Sequence, residues 1–347
     1  MNFICTWICV DAIGEESIYP QTGEKSSGLK HQYIYWRCIL LFFATSKRFN
    51  TTQKHILFSN THVFPVVDGK EIRASLQELD VEIIYTEFNY KTPKGYFNMF
   101  QNQFFEFSIL EYITKNNKNS NDQYLILDSD CVFSKNIDEL FAIAAPSGFI
   151  SFEDDCSTDL VIHGLSRKDM KELYQDLSGK KVDEIPGYHY GEFFLANVKN
   201  INTIFEDFTK LWPELISRYN AGLPKFNEEA QTLSYIYHKN NFLSSPRKDM
   251  MKRFWTNPVF YRNVERQDTE VAIWHLPSEK TFGLADLYKT LILNQNNFGL
   301  DLNKEAFTKI LRNSLGIPRL TLSKFTKYYA VSYYRAAKKK IKKLITA

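Results

Sequence analysis

Two carboxylates separated by one residue, Asp128 and Asp130, follow directly after the apolar run Tyr124–Leu127. An uninterrupted apolar run of this length is typical of a central strand in a parallel sheet, which is buried on both faces. In open α/β folds, ligands bind at the carboxyl edge of such strands. Together with the phosphates of a substrate, two carboxylates at that edge can hold a divalent cation. An acidic turn at a strand end would explain the same residues without a function, so their meaning depends on the rest of the chain.

A histidine and a lysine follow later in the chain at positions that suit the same chemistry. The residues Val271–His275 read as a short strand that ends at the histidine, and Lys280 follows shortly after it. The imidazole of His275 could complete a ligand shell begun by Asp128 and Asp130, and Lys280 could neutralise a diphosphate oxygen. Mn²⁺ accepts mixed oxygen and imidazole ligands more readily than Mg²⁺, so the set favours Mn²⁺, with Mg²⁺ as the alternative. Taken alone, His275 is more typical of a core or edge histidine than of a ligand, and Lys280 is equally typical of a surface lysine.

The segments that must position these residues alternate between strand-like and helix-like patterns. This order predicts an α/β fold with a mostly parallel, Rossmann-like sheet flanked by helices. The predicted strands are Phe3–Val10, His55–Ser59, Val81–Tyr85, Tyr124–Leu127, Phe149–Phe152, Tyr190–Asn197 and Val271–His275. The predicted helices are Leu29–Arg48, Lys70–Leu79, Tyr96–Thr114, Asn136–Ala144, Ile201–Tyr219 and Glu229–His238. Because no internal repeat or low-complexity linker interrupts this series, we expect one domain over residues 1–300.

The remaining residues, 301–347, are predicted to form a basic, amphipathic, helical C-terminal extension. Nine Lys or Arg residues and no Asp or Glu lie between Arg319 and Lys343, interleaved with aromatic and aliphatic residues. Such a segment suits the surface of an anionic membrane, where each basic residue contributes about 1 kcal/mol. A solvated or partner-binding helix and a nucleic-acid-binding tail have the same charge pattern. Of these readings we favour the membrane surface, and we expect no nucleic acid as a partner.

Composition narrows the class of protein further. With 44% hydrophobic and 24% charged residues in 347, the chain has ordinary globular composition, so disorder is not expected. Its five cysteines form no Cys-x-x-Cys pair, which argues against a zinc site and favours a reducing compartment. The apolar stretch Tyr33–Ala44 is interrupted by Arg37 and is too short to span a bilayer. We therefore expect a cytoplasmic protein that lies peripherally at the inner face of the cytoplasmic membrane.

Read in order, short motifs over residues 1 to 290 resemble those of the GT-A nucleotide-sugar-dependent glycosyltransferases. The nearest group contains the bacterial lipopolysaccharide galactosyl- and glucosyltransferases and glycogenin. The stretch Tyr124–Asp130 is similar to the family's Tyr-Leu-x-x-Asp-x-Asp motif. The segment Gly191–Asn197 is similar to the family's second strand, which is entered through a glycine.

Two later motifs match the same family less completely. Residues 275–280 keep the histidine and lysine of the family's His-x-x-Gly-x-x-Lys but lack its glycine. Residues 228–234 are similar to the acidic helix start Asp-Gln-Asp-x-Leu-Asn, with Gln231 in place of the second acid. That replacement leaves the catalytic role of this segment open.

The resemblance implies a hexosyltransferase that moves a sugar from a nucleotide-sugar donor, expected to be a UDP-sugar, to a glycan or lipid-linked glycan acceptor. Lipopolysaccharide, capsule or O-antigen synthesis is the kind of pathway it implies. By the same resemblance, Asp130 and His275 bind the metal directly, and Asp128 reaches the ribose or, through water, the metal. Val10 and Asp11 correspond to the family's nucleotide-binding loop.

The stereochemical course of the transfer has two alternatives. An inverting route needs a carboxylate that deprotonates the acceptor, and Glu228 or Glu229 could serve. The same two acids could instead stabilise the first turn of the predicted helix Glu229–His238. A retaining route needs no external base, and the family resemblance favours it.

Two other classes of protein remain as alternatives. A metal-dependent nucleotidyl- or phosphotransferase also needs paired acids at a strand end and a basic helper. The glycine-rich phosphate loops typical of many such enzymes, G-x-x-x-x-G-K-S/T and G-x-G-x-x-G, do not occur in this sequence. A non-enzymatic membrane-associated binding protein would explain the basic tail but not the ordered acids, histidine and lysine.

Overall fold

The computed structural model describes residues 1–17, 19, 24–242, 247 and 249–333. Its strands, β1 to β11 in chain order, are Asn2–Ile8, Lys54–Ser59, Val66–Val67, Lys70–Glu71, Val81–Tyr85, Gln123–Leu127, Cys131–Phe133, Phe149–Ile150, Phe193–Asn197, Met251–Arg253 and Ile273–His275. Its helices, α1 to α9, are Leu29–Phe49, Ile72–Glu78, Phe105–Asn116, Asp138–Ala144, Arg167–Ser178, Val198–Asn220, Glu229–Lys239, Gly283–Tyr288 and Lys304–Leu315. Short 3₁₀ turns lie at Gln101–Phe104, Arg266–Glu270, Pro277–Glu279 and Asn296–Gly299, a π turn lies at Lys289–Leu293, and residues 322–333 are helical.

The chain divides into two compact units. The first contains Met1–Tyr33, Asn50–Ser129 and Ile137–Arg247, and the second contains Ile34–Phe49, Asp130–Asn136 and Lys248–Ala347. The division between them in the middle of the chain falls between Ser129 and Asp130, so the two acids of the Asp-x-Asp motif belong to different units.

A six-stranded sheet in the order β5-β2-β1-β6-β9-β8 forms the centre of the first unit. Strands β5, β2, β1 and β6 are parallel neighbours, whereas β9 pairs antiparallel with both β6 and β8. Neighbouring residues of β6 point to opposite faces of the sheet, and all five are buried. Burial on both faces explains why this strand is apolar from Tyr124 to Leu127.

Helices α3 and α6 pack against each other within the main core of the first unit. The rings of Phe107 on α3 and Phe208 on α6 stack with their centroids 3.6 Å apart. Tyr124 and Ile126 of β6 belong to the same core, which therefore covers one face of the central strand. Part of the high aromatic content of the chain lies in this core, where several aromatic rings pack in stacked and edge-on pairs.

The second unit is built around a three-stranded sheet in the order β10-β11-β7. Strand β11 is parallel to β10 and antiparallel to β7, so His275 lies opposite Cys131. Helices α8 and α9 and the helical residues 322–333 belong to this unit. On the last helix, Lys324 pairs with Glu279 at 2.7 Å and Lys327 with Asp286 at 2.9 Å. Two cations that we assigned to a membrane-facing tail are thus ion-paired within the protein.

The predicted α/β fold with a mostly parallel sheet flanked by helices is confirmed. The helix expected over Tyr96–Thr114 starts late, with a 3₁₀ turn at Gln101 and an α-helix from Phe105. The reason is Phe100, whose φ of 54° places it in the left-handed region, which a right-handed helix cannot include. Helix α5 was missed, although its capping box of Ser166 and Asp169 is a sequence signal for a helix start.

Two expectations are not decided by these elements. The division of the chain at residue 300 stays a prediction. The basic extension was predicted over 301–347, and its residues 334–347 lie outside the described part of the chain. Among the residues that the structure describes, no helix combines the length and the hydropathy that a bilayer crossing requires.

Candidate active site

The carboxyl end of β6 places Asp128 at the edge of the six-stranded sheet. The hydroxyl of Thr6 on β1 donates to the carbonyl of Leu127 at 2.8 Å. The backbone N–H of Asp128 donates to the carbonyl of Glu192 at 3.3 Å, just before β9 begins. Leu127 is thus hydrogen-bonded to β1, and Asp128 is hydrogen-bonded to the residue that precedes β9. These two contacts fix the position of the Asp128 backbone, from which its half-buried side chain extends.

Further acids of the first unit act electrostatically on this edge of the sheet. Burial raises the pKa of Glu106 well above its ordinary value, and the carboxylates of Asp128 and Glu192 raise it further. The indole N–H of Trp7 donates to Glu106 at 3.2 Å and opposes that rise. Burial likewise raises the pKa of Glu229, with added contributions from Glu228, Glu106 and Asp128. Burial and mutual repulsion therefore both favour the protonated, neutral form of Glu106 and Glu229.

Gly191 has a packing role that depends on its missing side chain. A Cβ atom added there would lie 2.4 Å from Oε1 of Glu229 and 3.0 Å from the Cβ of Ala230. The backbone that leads into β9 therefore passes directly beside the start of α7. This contact gives a physical reason for a glycine at the position where the sequence resembles a glycine-entered strand.

Glu228 is almost completely buried and both of its carboxylate oxygens have partners. The hydroxyl of Tyr188 donates to Oε1 at 2.5 Å, and Nδ1 of His163 pairs with Oε2. His163 is partly exposed, with 31% of its side chain accessible, and its φ of 47° is left-handed. A left-handed residue other than glycine is strained, and such strain is common at functional sites. Neither the histidine nor its pairing with Glu228 was predicted from the sequence.

Gln231, which stands where the resembling family has a second acid, holds the same loop in place. Its side-chain amide donates to the carbonyl of Ile162 at 2.9 Å, and its carbonyl accepts from the N–H of Asn227 at 2.8 Å. The Asn227 side chain in turn donates to the carbonyl of His163 at 2.9 Å. An amide can donate and accept at once, whereas an ionised carboxylate can only accept. A glutamine at position 231 can therefore make both of the contacts that hold the loop at His163 in place.

Val10 and Asp11 are engaged in contacts of the first unit. The side chain of Asn60 bonds both backbone groups of Val10, at 2.7 Å to its N–H and 3.0 Å to its carbonyl. Asp11 accepts from the hydroxyl of Ser26 at 2.6 Å and from the N–H of Ser17 at 3.1 Å. Burial raises the pKa of Asp11, and these hydrogen bonds oppose the rise. The two residues anchor the loop after β1, and their nucleotide-binding role stays a prediction.

The second unit brings Asp130, His275 and Lys280 together. Nζ of Lys280 pairs with Oδ2 of Asp130, and Nε2 of His275 lies 3.3 Å from the same oxygen. All three side chains are buried. Burial alone would raise the pKa of Asp130, but Lys280 and His275 together hold it well below its ordinary value. The carboxylate is therefore ionised at neutral pH.

Backbone contacts of the second unit fix the spacing of these three residues. The N–H of Leu276 donates to the carbonyl of Asp130 at 3.1 Å, which extends the β11 and β7 pairing past His275. The 3₁₀ turn Pro277–Glu279 then carries the chain from His275 to Lys280. Because a short turn separates the histidine from the lysine, both side chains return to one carboxylate.

Asp130 and His275 of the second unit supply a carboxylate and an imidazole, a donor pair that could hold a divalent cation. Asp128, two residues earlier in the sequence, stays the third predicted ligand. Mixed oxygen and nitrogen ligands fit Mn²⁺ better than Mg²⁺, which prefers oxygen alone. The residues present therefore fit the metal implied by the sequence. Its identity and the role of each ligand stay predictions.

Glu106, Glu192 and His163 were not predicted from the sequence. Glu106 had a usable signal, because it lies inside the apolar run Phe104-Phe105-Glu106-Phe107 of a predicted helix, where burial is expected. An acid buried among phenylalanines is costly unless something compensates it. Glu192 and His163 had no such signal, since each lies in a loop whose path depends on the tertiary fold.

No protein-family model and no curated protein matches the chain. Among solved structures, it is similar to the crystal structure of mouse xyloside xylosyltransferase 1 in its apo form, with 12% sequence identity and a TM-score of 0.44. The similarity covers 79% of this chain and 97% of that chain. A likeness of this size assigns neither an activity nor a substrate to the present protein.

Proposed function

We propose that this protein is a metal-dependent GT-A glycosyltransferase that transfers a sugar from a nucleotide-sugar donor, a UDP-sugar, to an acceptor hydroxyl. The observation that carries the proposal is the arrangement around Asp130. One ionised carboxylate lies between an imidazole and an ammonium group, and Asp128 precedes it by two residues at the end of a central strand. A divalent cation and a lysine are what a departing nucleoside diphosphate needs, because its phosphates carry concentrated negative charge.

In this proposal each group has a distinct task. Asp130 and His275 would hold Mn²⁺, and Asp128 would contact the ribose or, through water, the metal. Bound metal would supply electrostatic stabilisation of the leaving diphosphate. Lys280, which is buried and directed at Asp130, would pair with a diphosphate oxygen of the bound donor.

The acceptor side of the reaction is proposed to involve the acids at the start of α7. The family resemblance favours a retaining transfer, in which no external base is needed. On an inverting route Glu228 would act through His163, since both of its oxygens are occupied and its side chain is almost inaccessible. Glu229 has one carboxylate oxygen without a hydrogen-bond partner among the described residues, and it is the second candidate base.

The proposal is tested by incubating the purified protein with a panel of UDP-sugars and Mn²⁺ and measuring UDP release. We expect release that stops on chelation and is abolished in Asp130→Asn, and we expect Mn²⁺-dependent binding of UDP in calorimetry. Asp301→Asn, which changes an exposed acid of the same unit, is the matched control and keeps the activity. Absence of both turnover and metal-dependent UDP binding would refute the proposal. Pyrophosphate release from nucleoside triphosphates would instead identify a nucleotidyltransferase.

We also propose that the protein works at the cytoplasmic face of a membrane on a lipid-linked glycan, such as a lipopolysaccharide, capsule or O-antigen precursor. Four exposed side chains repeat at helical spacing on the last described helix: Leu322, Phe325, Tyr329 and Tyr333 are 80%, 42%, 37% and 74% exposed. This stripe precedes the most basic part of the sequence, Arg335 to Lys343. Aromatic side chains next to basic residues suit an anionic lipid interface.

Vesicle co-sedimentation tests this placement. Replacement of Phe325 and Tyr329 by serine is expected to reduce binding to vesicles that contain anionic lipid. Neither the wild type nor this double variant is expected to bind neutral vesicles strongly. Replacement of Phe260 and Tyr261, which are 71% and 62% exposed elsewhere in the second unit, is the matched control and leaves binding unchanged. Equal loss in both double variants, or no loss in either, would remove the stripe as the membrane contact.

A further inference from the structure

Glu279 is a fully buried carboxylate in the second unit, and it immediately precedes Lys280. Its Oε2 accepts from Nζ of Lys324 at 2.7 Å and from the backbone N–H of Gly283 at 2.6 Å. Its Oε1 accepts from the hydroxyls of Thr256 and Tyr328. Both oxygens of one buried carboxylate are thus fully paired, a condition under which burial of its charge is tolerated.

Two of these four donors come from the helix at 322–333, far along the chain from the turn. Lys324 and Tyr328 are one helical turn apart and are 6% and 2% exposed, so they form the inward face of this helix. Nζ of Lys324 also donates to the carbonyl of Ser314, at 2.6 Å. Burial lowers the pKa of Lys324, and Glu279 opposes that change.

Glu279 and Lys324 lie so close to the backbone of Gly283 that a side chain at this position has no room. A Cβ atom added there would lie 2.2 Å from Oε2 of Glu279 and 2.5 Å from Nζ of Lys324. The start of α8, the turn Pro277–Glu279 and the last helix therefore meet at a single point. A displacement of any one of them must move the others, because protein interiors have little free volume.

We infer that Lys324 and Tyr328 are positioning residues for the diphosphate site: by holding Glu279, they fix the turn that presents Lys280 beside Asp130. This inference rests on the proposed function, since it gives the lysine a phosphate to bind. The turn is fixed at its other end by Leu276, whose N–H donates to the carbonyl of Asp130. With both ends held, Lys280 reaches its partner along one defined path. A displacement of about 1 Å in such a group can cost orders of magnitude in binding or rate.

The predicted membrane contact and the positioning role use opposite faces of one helix. Leu322, Phe325 and Tyr329 are exposed, whereas Lys324 and Tyr328 are buried. Deletion of the chain from Arg319 onward would remove both faces and leave the buried Glu279 without two of its donors. Such a truncation therefore cannot report on membrane binding alone, and point substitutions on each face are needed.

The test measures UDP and uridine affinities of the full chain in the presence of Mn²⁺. Tyr328→Phe removes one hydroxyl with little change in shape, Lys324→Met removes the buried cation, and Lys324→Arg is its conservative counterpart. Because Lys280 would contact only phosphate, we expect UDP binding to weaken by about tenfold in Lys324→Met and by less in Tyr328→Phe, with uridine binding unchanged. Lys324→Arg should recover part of the loss. Lys327→Met, on the exposed side of the same helix and paired with Asp286, is the matched control and keeps wild-type affinity for both.

A double variant decides whether the effect passes through Lys280. If Tyr328 acts by positioning that lysine, Tyr328→Phe adds no further loss of UDP affinity in a Lys280→Met background. Equal weakening of UDP and uridine, or additive losses in the double variant, would overturn the positioning role. A wild-type protein that binds neither UDP nor uridine would instead overturn the proposed function, so the two failures can be distinguished.

Discussion

Lys280→Met is expected to destabilise the protein strongly at neutral pH and much less in acid. In the native structure Asp130 is 1% exposed and has two basic partners, Lys280 and His275. Removal of one partner from a buried ion pair costs about 3–5 kcal/mol, because an uncompensated charge stays buried. Since His275 remains 3.3 Å from the carboxylate, we expect the lower end of that range, about 3 kcal/mol.

The pH dependence follows from the lowered pKa of Asp130. A carboxyl group with a lowered pKa in the folded state stabilises the fold above its unfolded pKa of about 3.9, and that contribution is lost as the pH falls through the folded value. Without Lys280, one of the two groups that lower the pKa of Asp130 is lost, so burial raises that pKa above its wild-type value. The penalty is therefore complete at about pH 7 and shrinks towards about pH 4, where the Asp130 carboxyl of the variant takes up a proton more readily than that of the wild type.

Urea unfolding of the wild type and of Lys280→Met at these two pH values checks the prediction. The control is Lys327→Met, whose ion pair with Asp286 is exposed, and the loss there should be no more than about 1 kcal/mol at either pH. A penalty in Lys280→Met that is the same at both pH values would refute the assignment of the effect to the charge of Asp130. A penalty no larger than that of the control would show that the buried pair does not stabilise the fold.

Two further predictions concern the start of α7. Gly191→Ala is expected to lower the free energy of unfolding by about 1–3 kcal/mol, because the new methyl group would overlap Glu229, and a wild-type melting temperature would contradict this. Glu228→Gln is expected to reduce turnover about a hundredfold with unchanged UDP affinity if an inverting route uses the His163 pair, whereas Glu206→Gln on the exposed side of α6 changes neither. Full turnover in Glu228→Gln would favour the retaining route.

The sequence predicted the elements whose physical signals are local. The apolar run of β6 indicates burial on both faces, and the acids that follow it indicate the edge of a sheet. His275 and Lys280 were found by their order in the chain, and the structure brings both to Asp130. The signal of β6 is the short-range pattern of a buried strand. His275 and Lys280 lie far from it along the chain and were found only through an order of motifs that resembles the glycosyltransferases.

Contacts between distant segments were not predictable in the same way. Nothing local to Lys324 indicates that it is buried, and in a basic tail a lysine is expected to face solvent. His163 lies in a loop after an acidic stretch, and its pairing with Glu228 joins segments that are 65 residues apart. Such pairings arise from the path of the chain in space, which a single sequence does not specify by periodicity.

The most direct test of the central claim is electron spin echo spectroscopy of Mn²⁺ bound to the protein together with UDP. The account predicts modulation from a directly coordinated imidazole nitrogen in the wild type and its loss in His275→Gln. We also expect phosphorus coupling from the diphosphate of UDP in the wild type, and in His275→Gln as long as that variant binds the metal. Mn²⁺ that binds without nitrogen coupling, or that shows the same spectrum in His275→Gln, would contradict the assignment of Asp130 and His275 as the metal site.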